Sequence, residues 1–321
     1  MKKMLLKKLT ESVIALLLIS FFSFAVIYFA PGEISNIYIK PGMTAEQIER
    51  IRERYDSDIP LMEKYTTWGK GVLQGDFGIS LVSKKSVIAE IGKKMPATIL
   101  LMGTAMILSV VLSLPLGLIA GYYKNRLPDK IISAYVYSSM SIPQFWLGMM
   151  LIVVFGATLK WLPISGMRTP GVHTVADTVR HLVLPCLTLC ITNMAPYIRY
   201  VRSSTIHELE EEYVLAAKAK GSSMSKILWR HVLKNSLLPV ITLLGMNLAN
   251  IVGGSFVLEN VFGWPGIGTY AIKAVQSRDY PCIMAYTMIV GFVLVFGNLL
   301  ADFLYAVVDP RIRQETGAKH G

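Results

Sequence analysis

Six runs of about 20 mainly apolar residues dominate this sequence and limit what it can fold into. A helix of about 20 such residues crosses the roughly 30 Å hydrocarbon core of a bilayer, and helices satisfy all their own backbone polar groups there. The predicted spans cover residues 9–30, 97–122, 131–159, 182–200, 238–258 and 282–308. The sequence therefore predicts an all-α polytopic membrane protein with six transmembrane helices.

The composition agrees with a lipid environment and argues against nucleic acid as a partner. Of the 321 residues, 53% are hydrophobic and only 17% are charged, which is too apolar for an ordinary soluble domain. The net charge of +11 comes from short basic clusters beside the apolar runs, without interleaved aromatic residues. These clusters comprise Lys2, Lys3, Lys7, Lys8, Lys124, Arg126, Lys130, Arg311 and Arg313. The positive-inside rule then places both termini in the cytoplasm.

The first apolar run is basic and then apolar, like a secretory signal, but it is about twice as long as a signal's apolar region. We therefore expect an uncleaved first helix. The predicted organisation is a cytoplasmic N terminus with the first helix (1–30), an external subdomain (31–95), a five-helix transmembrane domain (96–308) and a cytoplasmic tail (309–321). Within the transmembrane domain, residues 200–238 form a long cytoplasmic loop.

The external subdomain contains one predicted helix, TAEQIERIRERY. Thr44 and Gln47 have the spacing of a capping box, and Ile48, Ile51 and Tyr55 share one helical face. This helix either covers the mouth of the pore or packs on the surface, and the sequence leaves both alternatives open.

The cytoplasmic loop is too long and too regular for a simple connection. Leu209, Val214 and Ala217 alternate with charged residues at helical spacing. Gly221 is typical of a helix stop and the serines after it of a new N-cap, so two short helices joined by a glycine turn are predicted. The first helix ends in small residues, which let another protein approach its backbone closely.

This loop resembles the EAA loop of ABC importer permeases, and YVLAAKAKG (213–221) is similar to the version in dipeptide, oligopeptide and nickel importers. Six further motifs match that subfamily in order: GDFGIS, PATILL, SIPQFWLGMML, ENVFGWPGIG, RDYP and DPRIR. The chain departs from the general EAA pattern at Leu215, where a glutamate is usual, and at Lys234, where a proline is usual.

The resemblance implies a coupling helix, approximately residues 212–225, that docks into a cleft of a separate ATPase subunit. The implied coupling residues are Glu212, Tyr213, Ala216, Ala217, Gly221 and Ser222. The expected partners are a second homologous permease, two ABC ATPase subunits, an external substrate-binding protein and membrane lipid. The chain lacks the G-x-x-x-x-G-K-[ST] motif, so ATP and magnesium are expected in the partner subunits.

The cargo stays open between nickel or a nickel chelate and di- or oligopeptides. The loop at 160–181 and the ending DPRIRQETGAKHG resemble nickel-type permeases more than dipeptide-type ones. The alternative class is an ion-coupled secondary transporter. Inverted repeats and acidic residues near the membrane midplane would be expected in that class. No constellation of catalytic groups is present, so an enzyme is not expected.

Polar residues inside the spans are candidates for a hydrated translocation path. They are Ser139, Ser141, Gln144, Asn193, Asn247, Asn250, Ser255, Asn298 and Asp302. Each can equally form an interhelical hydrogen bond. Prolines inside the spans, which permit kinks, are Pro115, Pro143, Pro185 and Pro196.

Cysteine and histidine spacing does not predict a metal site. The three cysteines lie in or beside apolar segments and are expected to be small buried residues, namely Cys186, Cys190 and Cys282. Four of the five histidines are scattered along the chain without the spacing of metal ligands, namely His173, His181, His207 and His231.

Overall fold

The computed structural model describes residues 2–29, 44–47, 59–253 and 256–308. The helices, in chain order, are α1 (Lys2–Tyr28), α2 (Leu61–Leu73), α3 (Val87–Tyr122), α4 (Leu127–Ser141), α5 (Gln144–Leu151), α6 (Val175–Glu208), α7 (Glu212–Ala219), α8 (Met224–Ile227), α9 (Leu233–Gly253), α10 (Phe256–Val261), α11 (Ile267–Gln276) and α12 (Tyr280–Val308). Two of them continue as π-helical turns, α5 into Ile152–Thr158 and α8 into Leu228–Val232. The all-α prediction is confirmed.

Four of the described helices are long and apolar enough to cross a membrane: α1, α3, α6 and α12. A fifth crossing is broken, because α4 and the helix that begins at Gln144 meet at 102°. The break falls at Ile142 and Pro143, since proline lacks an N–H and disfavours a helical conformation in the preceding residue. Ile142 is accordingly extended, with φ −86° and ψ 124°.

Five of the six predicted spans lie on these four helices and the broken crossing, whereas the remaining one, 238–258, lies on a helix outside this set in the described part of the chain. The span predicted over 131–159 as a single helix is the bent pair, and it begins four residues earlier, at Leu127. The span predicted over 238–258 lies mainly on α9, which begins at Leu233 and is helical through Gly253. The remaining predicted prolines lie inside intact helices, Pro115 in α3 and both Pro185 and Pro196 in α6.

Towards their C-terminal ends, α3 and α6 pack so closely that two glycines of α3 have no room for a side chain. A Cβ atom on Gly117 would lie 2.5 Å from Cβ of Val201, and one on Gly121 would lie 2.5 Å from Cβ of Thr205. Small residues that let backbones approach are typical of helix pairs in membranes, where close packing drives association. We call this region, which also carries α7, the α7 end of the bundle.

At the opposite end, the segment from α10 to α11 folds back onto the beginning of α3. Trp264 is fully buried, and its indole Nε1 donates a hydrogen bond to the Ala97 carbonyl at 2.8 Å. Glu259 is also fully buried. Its carboxylate accepts hydrogen bonds from the Thr98 hydroxyl at 2.6 Å and the Thr269 N–H at 3.1 Å. Burial raises the pKa of the Glu259 carboxyl, and these bonds join three helices at one point.

The capping box predicted in the external subdomain is confirmed. The Thr44 N–H donates to Gln47 Oε1 at 3.0 Å, and the Gln47 N–H donates to Thr44 Oγ1 at 3.3 Å. The apolar face predicted for this helix, at Ile48, Ile51 and Tyr55, lies outside the described residues.

Candidate functional site

The helix α7 packs one of its faces against the bundle. Val214 is fully buried in an apolar cluster that includes Leu118 of α3, Val201 of α6 and Ile227 of α8. Ala217 packs against the same cluster. Contacts with three other helices hold α7 in a fixed position at its end of the bundle.

The other face of α7 is open and is apolar except for Glu212, and Lys218 is exposed beside it. Leu215 exposes 58% of its surface, and Ala216 and Ala219 are exposed beside it. Because α7 has only eight residues, this face is short, and small side chains leave its backbone accessible. It has the shape and chemistry to enter an apolar groove on another protein.

A glycine turn ends α7, as the sequence predicts. Gly221 has φ +74°, a region that residues with a side chain rarely adopt. Its N–H donates to the Lys218 carbonyl at 2.9 Å, and the Ser222 N–H donates to the Ala217 carbonyl at 3.1 Å. This pair of bonds is a Schellman motif. Ser223 occupies the N-cap position of α8, but its side chain makes no capping hydrogen bond.

Three polar side chains connect α7 to the two long helices on either side of it. The Tyr213 hydroxyl donates to Glu208 Oε2 at 2.5 Å, and Asn235 Nδ2 donates to the same oxygen at 2.7 Å. Glu208 is the last residue of α6, and Asn235 lies in the first turn of α9. Burial and the neighbouring Glu208 carboxylate raise the pKa of Tyr213, which keeps its hydroxyl protonated as the donor.

A second polar contact holds the α7 end together. Arg202 of α6 binds Asp129 of α4 through two parallel hydrogen bonds, Nε to Oδ1 at 2.6 Å and a terminal nitrogen to Oδ2 at 2.7 Å. Asp129 also accepts a bond from the Asn125 N–H at 2.7 Å. Only 4% of the Asp129 side chain is exposed. This two-bond geometry fixes orientation as well as distance, so α4, α6 and the α3–α4 turn are linked.

The coupling residues predicted from the sequence fall into different environments. Glu212, Ala216 and Gly221 are exposed, whereas Tyr213, Ala217 and Ser222 are half-buried. Leu215 was not predicted, although it is a large apolar side chain of α7 with 58% of its surface exposed. Its departure from the EAA pattern was the signal that could have identified it.

The structure brings three of the predicted path residues together near the middle of the bundle. Gln144 Nε2 donates to Thr192 Oγ1 at 2.9 Å and to Asn193 Oδ1 at 3.3 Å. Asn193 and Asn247 line one cavity of about 80 Å³ between α3, α6 and α9. Gln144 therefore positions Asn193, and Asn193 faces Asn247 across an open space.

The other predicted path residues lie away from this cavity or outside the described residues. The Ser139 hydroxyl donates to the Val136 carbonyl and the Ser141 hydroxyl to the Tyr137 carbonyl, each within α4. Asn298 is exposed on α12. The side chains of Asn250 and Asp302 are outside the described part of the chain, as is the whole of Ser255.

The surroundings of the three cysteines and of the buried His181 indicate structural roles for these residues. All three cysteines are buried and unpaired. His181 Nδ1 lies 3.0 Å from the Ser165 carbonyl oxygen and 3.1 Å from that of Gly166, so the histidine fastens the preceding loop to α6. Among the described residues, no group of three or more His, Cys, Asp or Glu residues could hold a metal ion.

Both the sequence and the fold are similar to those of known proteins. Residues 113–314 match the family described as "Binding-protein-dependent transport system inner membrane component", and residues 1–102 match its N-terminal region. The fold is similar to that of a chain of the MetNI methionine ABC transporter in an inward-facing conformation, with a TM-score of 0.53 and 17% identity. That match covers 69% of this chain and 97% of the other.

Two relatives are similar over nearly their full length. The oligopeptide transport system permease protein AppB of Bacillus subtilis (strain 168) is 36% identical over 310 residues, which cover 96% of this chain and 98% of AppB. The glutathione transport system permease protein GsiC of Escherichia coli (strain K12) is 35% identical over 308 residues, with 96% and 98% covered. The chain therefore belongs to the family of binding-protein-dependent transport system inner membrane components, the membrane permease subunits of ABC importers.

Proposed function

We propose that this permease carries peptides across the inner membrane. The observation that supports peptide cargo is the similarity over 96% of the chain to permeases named for an oligopeptide and for glutathione, which is itself a short peptide. Nickel, which the loop at 160–181 and the C-terminal sequence favoured, finds no corresponding support among these relatives. Direct transport assays with both cargoes decide between them.

The open face of α7 is the proposed site of ATPase docking. Leu215, Ala216 and Ala219 supply a short apolar surface, while Val214 and Tyr213 fix the helix to the bundle. A push on the open face therefore reaches α6 and α9 through packed side chains and hydrogen bonds. In this proposal α7 lies in the cytoplasm, as do both termini, and the α10–α11 corner faces outwards.

The complete importer in this proposal contains a second homologous permease, two ATPase subunits that bind ATP and magnesium, and an external substrate-binding protein. Closure of the ATPases around ATP moves α7, and the bundle alternates between inward-open and outward-open states. Such a switch requires that the ATP-bound ATPases interact differently with the two states, because a ligand shifts an equilibrium only through differential binding.

The experiment is to reconstitute the tagged chain with its partners and measure ATP hydrolysis with and without peptide-loaded binding protein. The informative variant is Gly221→Val, because a left-handed conformation costs roughly 1–2 kcal/mol in an L-residue and more in a β-branched one. Gly221→Asn is the matched control, since asparagine tolerates this conformation. No atom outside the turn lies within 4 Å of a Cβ at this position, so backbone strain alone separates the two variants.

We expect Gly221→Val to lose most of the peptide-stimulated hydrolysis and Gly221→Asn to retain it, with both complexes assembled. Equal stimulation in the two variants would refute the coupling role of this turn. Stimulation by nickel-loaded binding protein, with none by peptides, would overturn the cargo. Uptake that continues without any ATPase subunit would instead favour the ion-coupled transporter.

A further inference from the structure

The cavity between α3, α6 and α9 lies at the depth of the bundle centre. It is lined by Met102 and Met106, which flank the midpoint of α3, and by Asn193 and Tyr197 from the central turns of α6. Asn247 of α9 completes its polar wall. Its volume of about 80 Å³ exceeds the roughly 10–15 Å³ that a single water needs. The space can accept several waters or one peptide group.

The lining combines four apolar residues, which include Ile251 of α9, with three polar side chains, and it carries no carboxylate, amine or guanidinium group. Two carboxamides and a phenol offer hydrogen-bond donors and acceptors of the same kind as a peptide bond. The two methionines add polarisable, flexible side chains that adapt to different shapes. Such a wall can form hydrogen bonds with a neutral main-chain group, and it offers no counter-charge to a charged side chain.

Asn193 is oriented towards the cavity with one polar atom engaged and one available. Its Oδ1 accepts the bond from Gln144 Nε2, and Gln144 is in turn held by Thr192. In the part of the chain that the structure describes, Asn193 Nδ2 donates to no acceptor. A half-buried amide donor beside an open space favours a hydrogen bond to a carbonyl group of the cargo, because unsatisfied polar groups in a membrane interior are costly.

Pro196 adds an acceptor at the same level of α6. It lines the cavity and lacks an N–H, so the Thr192 carbonyl one turn earlier loses its usual i+4 donor. Mid-membrane backbone that lacks a helical partner is tolerated where other groups or water satisfy it. Asn193 supplies a donor for the C=O of a peptide unit at the cavity wall, and the Thr192 carbonyl is an acceptor on the adjacent residue of α6.

We propose that this cavity is a transient binding site for one main-chain peptide group of the cargo, with Asn193 as its principal donor. The proposal rests on the peptide cargo proposed above. The site holds the backbone of a peptide midway through the membrane while the permease changes state, and the side chains of the cargo project away from it.

The test uses the complete importer in proteoliposomes, with the binding protein saturated by a neutral tripeptide and uptake measured per complex. Asn193→Leu removes the amide and keeps the branched shape of the side chain at a larger volume, and Asn193→Ser removes it with a smaller, polar side chain. Ser109→Ala is the control, because Ser109 is also buried in the bundle but does not line the cavity, and its hydroxyl donates to the Ala105 carbonyl of its own helix.

We expect both Asn193 variants to lower uptake by roughly three- to tenfold, the effect of one lost neutral hydrogen bond. The Ser109→Ala complex should transport like the unsubstituted importer. If Asn193→Leu fails to assemble, Asn193→Ser gives the answer alone. Normal uptake by assembled Asn193 variants would overturn the site and leave a cavity filled only by water, whereas absence of uptake by the unsubstituted importer would overturn the peptide cargo itself.

Discussion

The contact between α3 and α6 gives a sharp prediction for Gly117→Ala. The added Cβ would lie 2.5 Å from Cβ and 2.6 Å from Cγ1 of Val201, and 3.1 Å from the Ile198 carbonyl oxygen. Favourable carbon–carbon contacts lie at about 3.5–4.0 Å. Because Cβ of Val201 is fixed directly to its backbone, no side-chain rotation relieves the overlap, and the two helices must separate by about 1 Å.

Overpacking of this kind costs typically 1–3 kcal/mol, and the rigid neighbours place Gly117→Ala near the upper limit. Alanine returns about 1 kcal/mol through its higher helix propensity. The expected net loss is therefore about 2 kcal/mol in the free energy of unfolding. Gly121→Ala should behave alike, since its Cβ would lie 2.5 Å from Cβ of Thr205 and 2.9 Å from the Arg202 carbonyl oxygen.

The matched control is Gly103→Ala in the same helix, because nothing lies within 4 Å of a Cβ at that position. It should gain up to about 1 kcal/mol from helix propensity. The assay is reversible unfolding of the purified chain in mixed micelles, titrated with SDS and followed by circular dichroism. If Gly117→Ala is as stable as Gly103→Ala, the close approach of α3 and α6 is refuted.

Three further predictions concern polar groups. Asp129→Ala should lower the unfolding free energy by about 2 kcal/mol. This loss is smaller than the roughly 3–5 kcal/mol expected for a fully buried pair, because 29% of the Arg202 side chain is exposed. The same SDS titration measures the loss, and an unchanged midpoint would contradict the two-bond contact. Trp264→Phe should cost about 1–3 kcal/mol, since the buried Ala97 carbonyl loses its indole donor, and thermal unfolding in detergent should show a lower midpoint. Burial raises the pKa of Glu259, so the stability that its protonated form contributes is present at low pH and is lost as pH rises through the raised pKa. Unfolding midpoints measured from mildly acidic to mildly alkaline pH should therefore fall with pH in the unsubstituted chain and vary less in Glu259→Gln; parallel curves would refute this role.

Much of the fold follows from local sequence signals. Apolar length predicts the long helices, and the spacing of Thr44 and Gln47 predicts a capping box whose two bonds are present. Gly221 predicts a helix stop, and the left-handed φ and Schellman bonds are found there. These features depend on residues a few positions apart, so the sequence contains all the information needed to recognise them.

Features that depend on distant residues could not be predicted. Arg202 and Asp129 are separated by 73 positions, and neither belongs to a motif that names the other. The 102° bend at Pro143 was expected only as a kink, because a proline in a span can either bend or break it, and the surrounding helices decide which. The outward direction of Leu215 depends on which side of α7 meets the bundle, and that side is set by packing with α3, α6 and α8.

The path residues illustrate the same limit. Polarity alone selected Ser139 and Asn193 equally, although the Ser139 hydroxyl bonds within its own helix and Asn193 lines a cavity. Serine hydroxyls can satisfy themselves on a carbonyl of the preceding turn, whereas a carboxamide carries more donors and acceptors than one helix can serve. The longer polar side chains were therefore the better indicators of an open space.

The division of α7 into a packed face and an open face separates two kinds of evolutionary constraint. Val214 and Tyr213 must suit the bundle of this chain, whereas Leu215, Ala216 and Ala219 lie free of it. In the docking proposed above, a change on the open face therefore alters the choice of ATPase without a compensating change in the membrane helices. Three side chains on about one and a half turns of helix then determine which ATPase this permease accepts.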